Sequence, residues 1–337
     1  MIGDGAATMG GGILNRGTLT LTDVTMTGHG ATAGSGGAIF TDAGSTLHVS
    51  GSRFESSQAS DRGGAIWVDL GATLTMTNSV LLSNTATQGG GIFSFHGILG
   101  LEYVSIRNNS AQNGNGGGVN NSGGSLVLSG SAIATNVAQA RGGGLYSAGP
   151  AGSTIVSIVN STITGNIAQG TGGAPHFGGG VAGESGTISF YNATIVDNTS
   201  ASGGGSGVHR VVTGQWTGAT FDFRNTIVVG HRILGHSACS GGPAGFVSNG
   251  HNLDEDNTCN FIVNSDLPGG NANLSLAATL NGGTTESHSL QIPGDAIDAG
   301  DQSACQANPV NGGDQRGFGR SDGMCDIGAF EFQALAG

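Results

Sequence analysis

The sequence predicts an all-β fold: a right-handed, single-stranded parallel β-helix, in which each coil of the chain stacks on the one before. Two observations predict it. A glycine-rich motif recurs about every 26 residues, and each interval holds three short apolar stretches with no room for a helix. We expect about nine or ten coils with a disulfide-linked C-terminal cap. The right hand follows the usual chirality of parallel crossovers.

The recurring motif is Gly-Gly-(Gly/Ala)-aliphatic, and it marks the start of each coil. Its intervals are 26, 27, 26, 27, 26, 36 and 27 residues, which is too regular to arise from composition. Glycine suits a bend because it accepts a positive φ where a side chain would clash. The longer interval contains an insert at about residues 169–179. The aliphatic residues are Ile13, Ile39, Ile66, Ile92, Val119, Leu145, Val181 and, in a degenerate motif, Val208.

Each motif is followed by an alternating stretch and then by another apolar position, as in Leu74 and Met76 followed by Val80. Alternation with a period of two places those side chains on one face of a strand. An asparagine recurs after the last stretch. Asparagine tolerates the left-handed conformation and can bond to stacked backbone, so we expect an inward asparagine ladder at a bend rather than a ligand site. Its members are Asn84, Asn109, Asn136, Asn166 and Asn198.

Composition and charge exclude several classes of protein. Of 337 residues, 67 are Gly, which is about a fifth of the chain, whereas ordinary globular domains contain about 7% Gly. Only 9% of the residues are charged, compared with about 25% in such domains. An apolar content of 36% disfavours disorder. The net charge is −12 and the sequence has no Lys, so a nucleic-acid partner is not expected. No apolar run approaches about 18 residues, so no membrane span is expected.

Four cysteines lie in the last third of the chain, at Cys239, Cys259, Cys305 and Cys325. No two of these cysteines have the CxxC spacing of zinc or redox sites. Sequential pairing, Cys239 with Cys259 and Cys305 with Cys325, is the simplest of three possible connectivities. Disulfides here would imply an oxidising compartment outside the cytoplasm.

Three stretches of the C-terminal third are similar to a known module. GDAIDAGD (residues 294–301), DQRG (314–317) and CDIGAFE (325–331) resemble the choice-of-anchor Q module of bacterial surface β-helix proteins. The upstream GGAI and terminal-Asn motifs resemble polymorphic outer-membrane-protein repeats. The resemblance implies a right-handed β-helix in a secreted or surface-displayed protein, with some adhesins among its relatives. We divide the chain into repeats at 1–230 and a C-terminal β-helix end or cap module at 231–337.

An extracellular or cell-surface location is therefore expected. The first residues do not form a signal peptide, and only Phe332 to Gly337 follow the GAFE element, without a sorting motif. We expect that both a signal peptide and an anchor were lost by truncation. The expected partner is a carbohydrate or a host or cell-surface protein.

The acidic residues of the C-terminal module are expected to pair with Arg316 and Arg320. Calcium held by several of these carboxylates is the alternative, because aspartate-rich loops bind calcium through oxygen ligands. No EF-hand or repeat calcium spacing is present, so we expect no cofactor and no metal site. The acidic residues concerned are Asp295, Asp298, Asp301, Asp314, Asp322 and Asp326.

Parallel β-helices include polysaccharide lyases and glycosidases, so catalysis needs consideration, although a fold alone does not decide function. Asp42 and Asp69 recur at one coil position, and residues 254–256 form an Asp-Glu-Asp run. A pair of carboxylates could serve as acid and base. We interpret both groups as solvated turn residues and expect no catalytic residues. Ice binding is disfavoured because the outward threonines of TLTLT and TLTMT do not continue as a ladder.

The insert and the coil after it are the expected binding surface, because insertions in solenoids map to loops on one face. An aromatic ring, an imidazole and an Arg on adjacent coils could stack on a sugar ring, whereas the alternative is a loop folded on its own apolar contacts. The function expected is a non-enzymatic structural or adhesive rod, and the alternative is a polysaccharide-binding or polysaccharide-cleaving β-helix. The binding residues expected are His176, Phe177, His209, Arg210 and Trp216.

Overall fold

The computed structural model describes residues 8–150, 152–170, 178–201, 205–212, 218–232, 234–320 and 324–333. The chain forms a parallel β-helix, as predicted, with about eight complete turns in the described residues. Besides strands, these residues include one α-helix, Gln302–Gln306, and one 3-10 helix, Pro243–Gly245. No helix in the described part of the chain is long and apolar enough to cross a membrane.

The first ladder contains the strand that begins at the aliphatic residue of each motif. Its register joins these residues directly, for example Ile39 with Ile66 and Ile66 with Ile92. Two of its strands, Ile92–Glu102 and Val119–Ser129, continue without a break into the second ladder. The first-ladder strands are Ile13–Asn15, Ile39–Thr41, Ile66–Val68, Ile92–Glu102, Val119–Ser129, Leu145–Ala148, Val181–Gly183, Val208–Arg210 and Cys239–Ser240.

The second ladder contains the alternating stretches predicted from the sequence. Leu47, Leu74 and Leu99 lie in register and point inward, with at most 1% of each residue exposed. Besides the later halves of the two continuous strands, its strands are Thr18–Thr22, Thr46–Ser50, Thr73–Thr77, Thr154–Val159, Thr187–Tyr191, Thr220–Arg224 and Phe246–Ser248.

The third ladder follows the recurrent apolar position, and its central residues Phe54, Leu81 and Ile106 are buried in register. The last two strands of this ladder belong to short, incomplete turns, so the ladder has ten strands although the described residues form about eight complete turns; the sequence predicted nine or ten coils. The strands are Thr25–Thr27, Arg53–Glu55, Val80–Leu82, Ser105–Arg107, Ala132–Ala134, Thr162–Thr164, Thr194–Val196, Ile227–Val228, Leu253–Asp254 and Leu267–Pro268.

A fourth ladder of two-residue strands was not predicted. Its inward residue is Ala in six coils and Ser in the seventh, and such small side chains give no apolar alternation in the sequence. The strands are Gly30–Ala31, Gln58–Ala59, Thr85–Ala86, Ser110–Ala111, Val137–Ala138, Ile167–Ala168 and Thr199–Ser200.

The glycines of the motif have two different roles. The first glycine of each motif has a positive φ, such as 65° at Gly63 and 69° at Gly116. The second glycine lies where two coils approach closely. A Cβ atom on Gly117 would lie 2.3 Å from the carbonyl oxygen of Gly143 in the next coil, so only glycine fits there.

The predicted asparagine ladder is confirmed, and all five members are fully buried. The side-chain amide of Asn136 donates to the side-chain oxygen of Asn166 and to the carbonyl oxygen of Ile106, each at 2.9 Å. The bend itself is made by the residue before each asparagine. Asn108 and Thr135, for example, have φ values of 57° and 55°. The asparagines thus satisfy buried backbone groups rather than adopting the left-handed conformation.

After the last turns, the chain folds back along the solenoid, and we call residues 272–320 and 324–333 the flank segment. It packs on the outer surface of the third ladder, and the hydrogen bonds between them run from Ser105 to Asn225. This contact buries outward residues such as Ala132 and Thr162, which have no exposed surface. Besides the main apolar core inside the solenoid, an apolar cluster forms between the flank segment and the third ladder. It contains Val196, Ile227, Val229, Leu253, Ala272, Leu274, Leu290, Ala296, Ile327 and Phe330.

Both disulfides form with the expected sequential pairing. Cys239 and Cys259 belong to the main core and close the C-terminal end of the solenoid. Cys305 and Cys325 are also buried, but they link two parts of the flank segment. The second bond therefore fastens the segment that lies along the side of the rod.

Buried ion pairs lie in the interior of the flank segment. Arg320 is buried, and its guanidinium donates to the Glu331 carboxylate at 2.7 Å and to the carbonyl oxygen of Gly328 at 2.7 Å. Arg316 pairs with Asp314 at 2.7 Å, as the sequence predicts. Removal of one partner from such a pair would leave the other charge buried and uncompensated, which is strongly destabilising.

Candidate binding sites

The central residues of the first-ladder strands form an outward column. Phe40, Trp67 and Phe93 stack along it with ring centroids 5.5 and 4.8 Å apart. The guanidinium of Arg62 covers this stack, 5.1 Å from the Phe93 ring. At most 8% of each aromatic residue is exposed. The rings face one another and Arg62, so they do not present an open platform for a sugar.

Further along the same column, four polar side chains of successive coils converge. The Tyr146 hydroxyl donates to the Glu184 carboxylate, and a guanidinium nitrogen of Arg141 lies 3.9 Å from that carboxylate. His209 is two strands away from Tyr146, and its Nδ1 is 2.8 Å from the Ser240 hydroxyl. Burial, with a further contribution from Arg141, lowers the pKa of His209 to about 4. The histidine is therefore neutral at physiological pH.

The structure thus places one predicted binding residue, His209, beside polar groups that the sequence did not single out. Arg210 is not part of this cluster, because its Nε donates to the carbonyl oxygen of Ala219 at 2.9 Å. His176, Phe177 and Trp216 lie outside the described residues. Their assignment as binding residues stays a prediction.

The side-chain carboxylates of the Asp-Glu-Asp run, residues 254–256, accept hydrogen bonds from backbone N–H groups. Asp254 is fully buried rather than solvated, and its carboxylate accepts from the backbone N–H of Cys259 at 2.6 Å. Burial, together with a hydrogen bond to Asp256, raises the pKa of Asp254 to about 7. Glu255 accepts from the N–H of Ala272 at 3.1 Å. The Asp254 bond closes the loop at the end of the solenoid, and the Glu255 bond joins that end to the start of the flank segment.

Asp42 and Asp69 both accept hydrogen bonds from the N–H of the next residue, at 3.0 and 2.8 Å. Asp42 also pairs with Arg16 at 3.2 Å on the surface. These are the contacts of turn residues, as interpreted from the sequence. Among the described residues, no group of three His, Cys, Asp or Glu side chains is arranged to hold a metal ion.

The outward side of the second ladder is a long surface that we call the hydroxyl face. Its eight strands from Thr18–Thr22 to Thr220–Arg224 carry three outward columns. Within these described strands, 14 of the 24 outward residues are Thr or Ser. Three exposed aliphatic residues interrupt the hydroxyls in neighbouring coils, namely Ile98, Val127 and Ile155.

A cleft lies between the flank segment and the turns that follow the third ladder, and we call it the flank cleft. Its volume is about 470 Å³. Its floor is a row of left-handed turn residues from four successive coils: Asn108, Thr135, Gly165 and Asp197. The opposite wall is formed by flank residues 276–278 together with Glu286 and His288.

Two ion pairs define the ends of the flank cleft. The Nε of Arg107 lies 3.6 Å from the Glu286 carboxylate, which also accepts from the Ser105 hydroxyl at 2.8 Å. The second pair joins Asp197 to Arg232, whose Nε donates to the carboxylate at 2.9 Å. Burial raises the pKa of Asp197, but the bonds from Arg232 outweigh it and hold the pKa below its usual range.

His288 completes the cleft as a neutral group. Its Nδ1 lies 2.8 Å from the carbonyl oxygen of Ser275, so Nδ1 carries the hydrogen and donates it. The other ring nitrogen, Nε2, then accepts from the Thr164 hydroxyl at 2.9 Å. Burial lowers the pKa of His288, which is consistent with the neutral ring.

The sequence did not single out the residues of the flank cleft. Arg107 and Asp197 are separated by about 90 residues, and Glu286 follows much later in the chain. They come together because equivalent turn positions stack and because the flank segment returns over them. Arg107 and Asp197 do not break the repeat pattern and Glu286 lies outside the repeats, so no signal in the sequence marks the cleft.

No protein-family model, curated protein or solved structure matches this chain. The similarity of its motifs to the choice-of-anchor Q module and to polymorphic outer-membrane-protein repeats therefore stays a prediction.

Proposed function

We propose that this protein is a non-enzymatic structural or adhesive rod that works outside the cytoplasm, at or near a cell surface. The hydroxyl face is the observation that carries the proposal. Its eight strands extend over about 35 Å at the usual strand spacing. A flat, weakly charged surface of hydroxyl groups and scattered aliphatic side chains is suited to contact with a carbohydrate or a protein surface.

The two disulfides support the proposed location. Disulfides persist in oxidising compartments and are rare in the cytosol. Both bonds are buried, and one of them stabilises the end of the rod that is otherwise an open stack of strands. A rod that functions outside the cell gains resistance to unfolding from these bonds.

A second candidate function is polysaccharide binding, which the flank cleft favours because carboxylates, an Arg and an Asn line it together. Cleavage by a glycosidase would need one carboxyl group that keeps a proton to donate. Asp197 is held ionised by Arg232, and Glu286 is engaged by Arg107 and Ser105. This geometry supports binding rather than hydrolysis.

The rod proposal is tested by measuring binding of the recombinant chain to a glycan array and to an array of cell-surface proteins. The variant Thr75→Lys with Val127→Lys places two charges on the hydroxyl face. We expect it to weaken binding by at least tenfold, because each lysine would have to be desolvated in the contact. Release of reducing sugar from the bound glycans is measured in parallel.

The matched control, Gln58→Lys with Gln112→Lys, adds the same charge at two exposed positions, one in the fourth ladder and one next to it. It should bind as the unmodified chain does. An equal loss in both variants would show that the hydroxyl face is not the contact surface. Release of reducing sugar would contradict a non-enzymatic function.

A further inference from the structure

We propose that the flank cleft is a binding site for a neutral saccharide, held through its ring hydroxyls between Arg107, Glu286 and Asn108. This inference deepens the second candidate function and rests on it, and it does not depend on the hydroxyl face. The ligand class follows from the charge balance, the unused hydrogen-bonding capacity and the size of the cleft.

The charges around the cleft cancel. Arg107 and Arg232 carry two positive charges, Asp197 and Glu286 carry two negative charges, and His288 is neutral. A uronic acid or a phosphate would bring a negative charge next to two fixed carboxylates with no spare cation to neutralise it. A basic ligand would meet two guanidinium groups, so a neutral ligand fits best.

The pair at one end of the cleft is poised to accept a hydroxyl group. The Nε of Arg107 is buried and makes no hydrogen bond within the part of the chain that the structure describes. Its 3.6 Å separation from the Glu286 carboxylate is too long for a good hydrogen bond. A hydroxyl group both donates and accepts, so one sugar hydroxyl can accept from a terminal guanidinium nitrogen of Arg107, whose side chain is 38% exposed, and donate to Glu286.

The turn residues on the floor supply further partners. The Thr135 hydroxyl lies 2.5 Å from the side-chain oxygen of Asn108 and holds that amide in place. The same hydroxyl lies 2.7 Å from the carbonyl oxygen of Ala134, and its single hydrogen can serve only one of the two contacts. At least one amide hydrogen of Asn108 therefore has no partner in the part of the chain that the structure describes and can donate to a ligand. On the opposite side, Leu276 is 89% exposed and, with Ala277, offers an apolar lip for the C–H face of a sugar ring.

The walls are rigid enough to hold these groups. Arg232 bonds Asp197 on the solenoid and also donates to the carbonyl oxygens of Leu274 and Ser275 on the flank segment, at 3.0 and 3.2 Å. The cleft volume of about 470 Å³ falls within the range of about 300–1,000 Å³ that is usual for ligand pockets. A short stretch of a polysaccharide chain would fill it.

The test is isothermal titration with neutral tetrasaccharides of glucose, galactose, mannose and xylose in α and β linkages, with tetragalacturonate as the acidic probe. We expect at least one neutral tetrasaccharide to bind and tetragalacturonate to bind at least tenfold more weakly. Glu286→Gln and Asn108→Gly should each weaken the binding of the neutral ligand by about tenfold. Glycine preserves the left-handed backbone at residue 108.

Two controls repeat these changes outside the cleft. Ser83→Gly alters the equivalent left-handed turn one coil earlier, and Glu55→Gln alters a carboxylate in the same column of the third ladder as Arg107. Both should leave binding unchanged. The inference is overturned if no neutral tetrasaccharide binds, if only tetragalacturonate binds, or if the controls weaken binding as much. If no saccharide binds in the flank cleft but binding through the hydroxyl face is intact, the saccharide site is refuted and the rod proposal is unaffected.

Discussion

At the scale of single residues, the two leading glycines of each motif are required for different physical reasons. The first adopts a positive φ, and this role can be predicted from the sequence because glycine is common at bends. The second has an ordinary backbone conformation but no space for a side chain. That requirement depends on how closely two coils approach, so only the structure reveals it.

A substitution at the second position tests this distinction. Gly117→Ala places a Cβ atom 2.3 Å from a backbone oxygen, and the coils must shift to admit it. We expect the free energy of unfolding to fall by about 1–3 kcal/mol, as for other overpacked sites. Gly17→Ala is the control, because a Cβ there would meet nothing within 4 Å. Urea unfolding of both variants measures the effect, and equal stabilities would contradict it.

At the scale of the element, the main strands could be predicted because large apolar residues recur with a period of two. The fourth ladder could not, since its inward residues are mostly alanines that resemble loop composition. The asparagine ladder shows an intermediate case. Its inward position could be inferred from the spacing, whereas the left-handed residue turned out to be the one before it. A bend can use either residue, and only the backbone distinguishes them.

Asn136 is the central member of that ladder and should be the most sensitive. Its side-chain oxygen accepts from both the backbone N–H and the side-chain amide of Asn109, each at 2.9 Å. Asn136→Ala leaves these buried donors without an acceptor, which should cost about 3 kcal/mol. The exposed Asn113→Ala is the control and should change stability by less than about 0.5 kcal/mol. Thermal unfolding measures both, and a tolerated Asn136→Ala would refute a stabilising role of the ladder.

At the scale of the whole molecule, the flank segment changes how the solenoid holds together. Coils of a solenoid normally contact only their neighbours, so stability is a sum of local terms. Here Glu286 bonds Ser105, Gln315 bonds Thr162, and Gly328 bonds Asn225, which are residues of three different coils. The segment links non-adjacent coils into one cooperative block.

The course of this segment could not be predicted from the sequence. The disulfide pairing and the ion pair of Arg316 with Asp314 could be anticipated, because they involve residues close in sequence. Arg320 pairs with Glu331 rather than with one of the expected aspartates. The docking of the segment on the third ladder depends on contacts across more than 100 residues, such as Gln315 with Thr162. The flank cleft exists only because of that docking, so it could not be predicted from the sequence either.

The second disulfide should control this docking. Replacing Cys305 and Cys325 together by Ser removes the constraint on a 20-residue loop, worth about 3 kcal/mol. Amide hydrogen exchange should then rise by about a hundredfold in the flank segment and in Thr162–Thr164 beneath it. Arg53–Glu55, which lies two coils before the first docked strand, should be unaffected. Equal acceleration in both strands would contradict a separate role for the flank segment.

The hydrogen bonds between the flank segment and the third ladder also bear on how such a rod can change length during evolution. A solenoid lengthens or shortens most easily by gain or loss of a whole repeat. Beneath the flank segment, an added coil would shift Ser105 by one strand spacing relative to Thr162 and break their fixed correspondence with Glu286 and Gln315. The number of coils between Ser105 and Asn225 is thus fixed by the flank segment. Coils can be gained or lost mainly in the part of the rod that precedes Ser105.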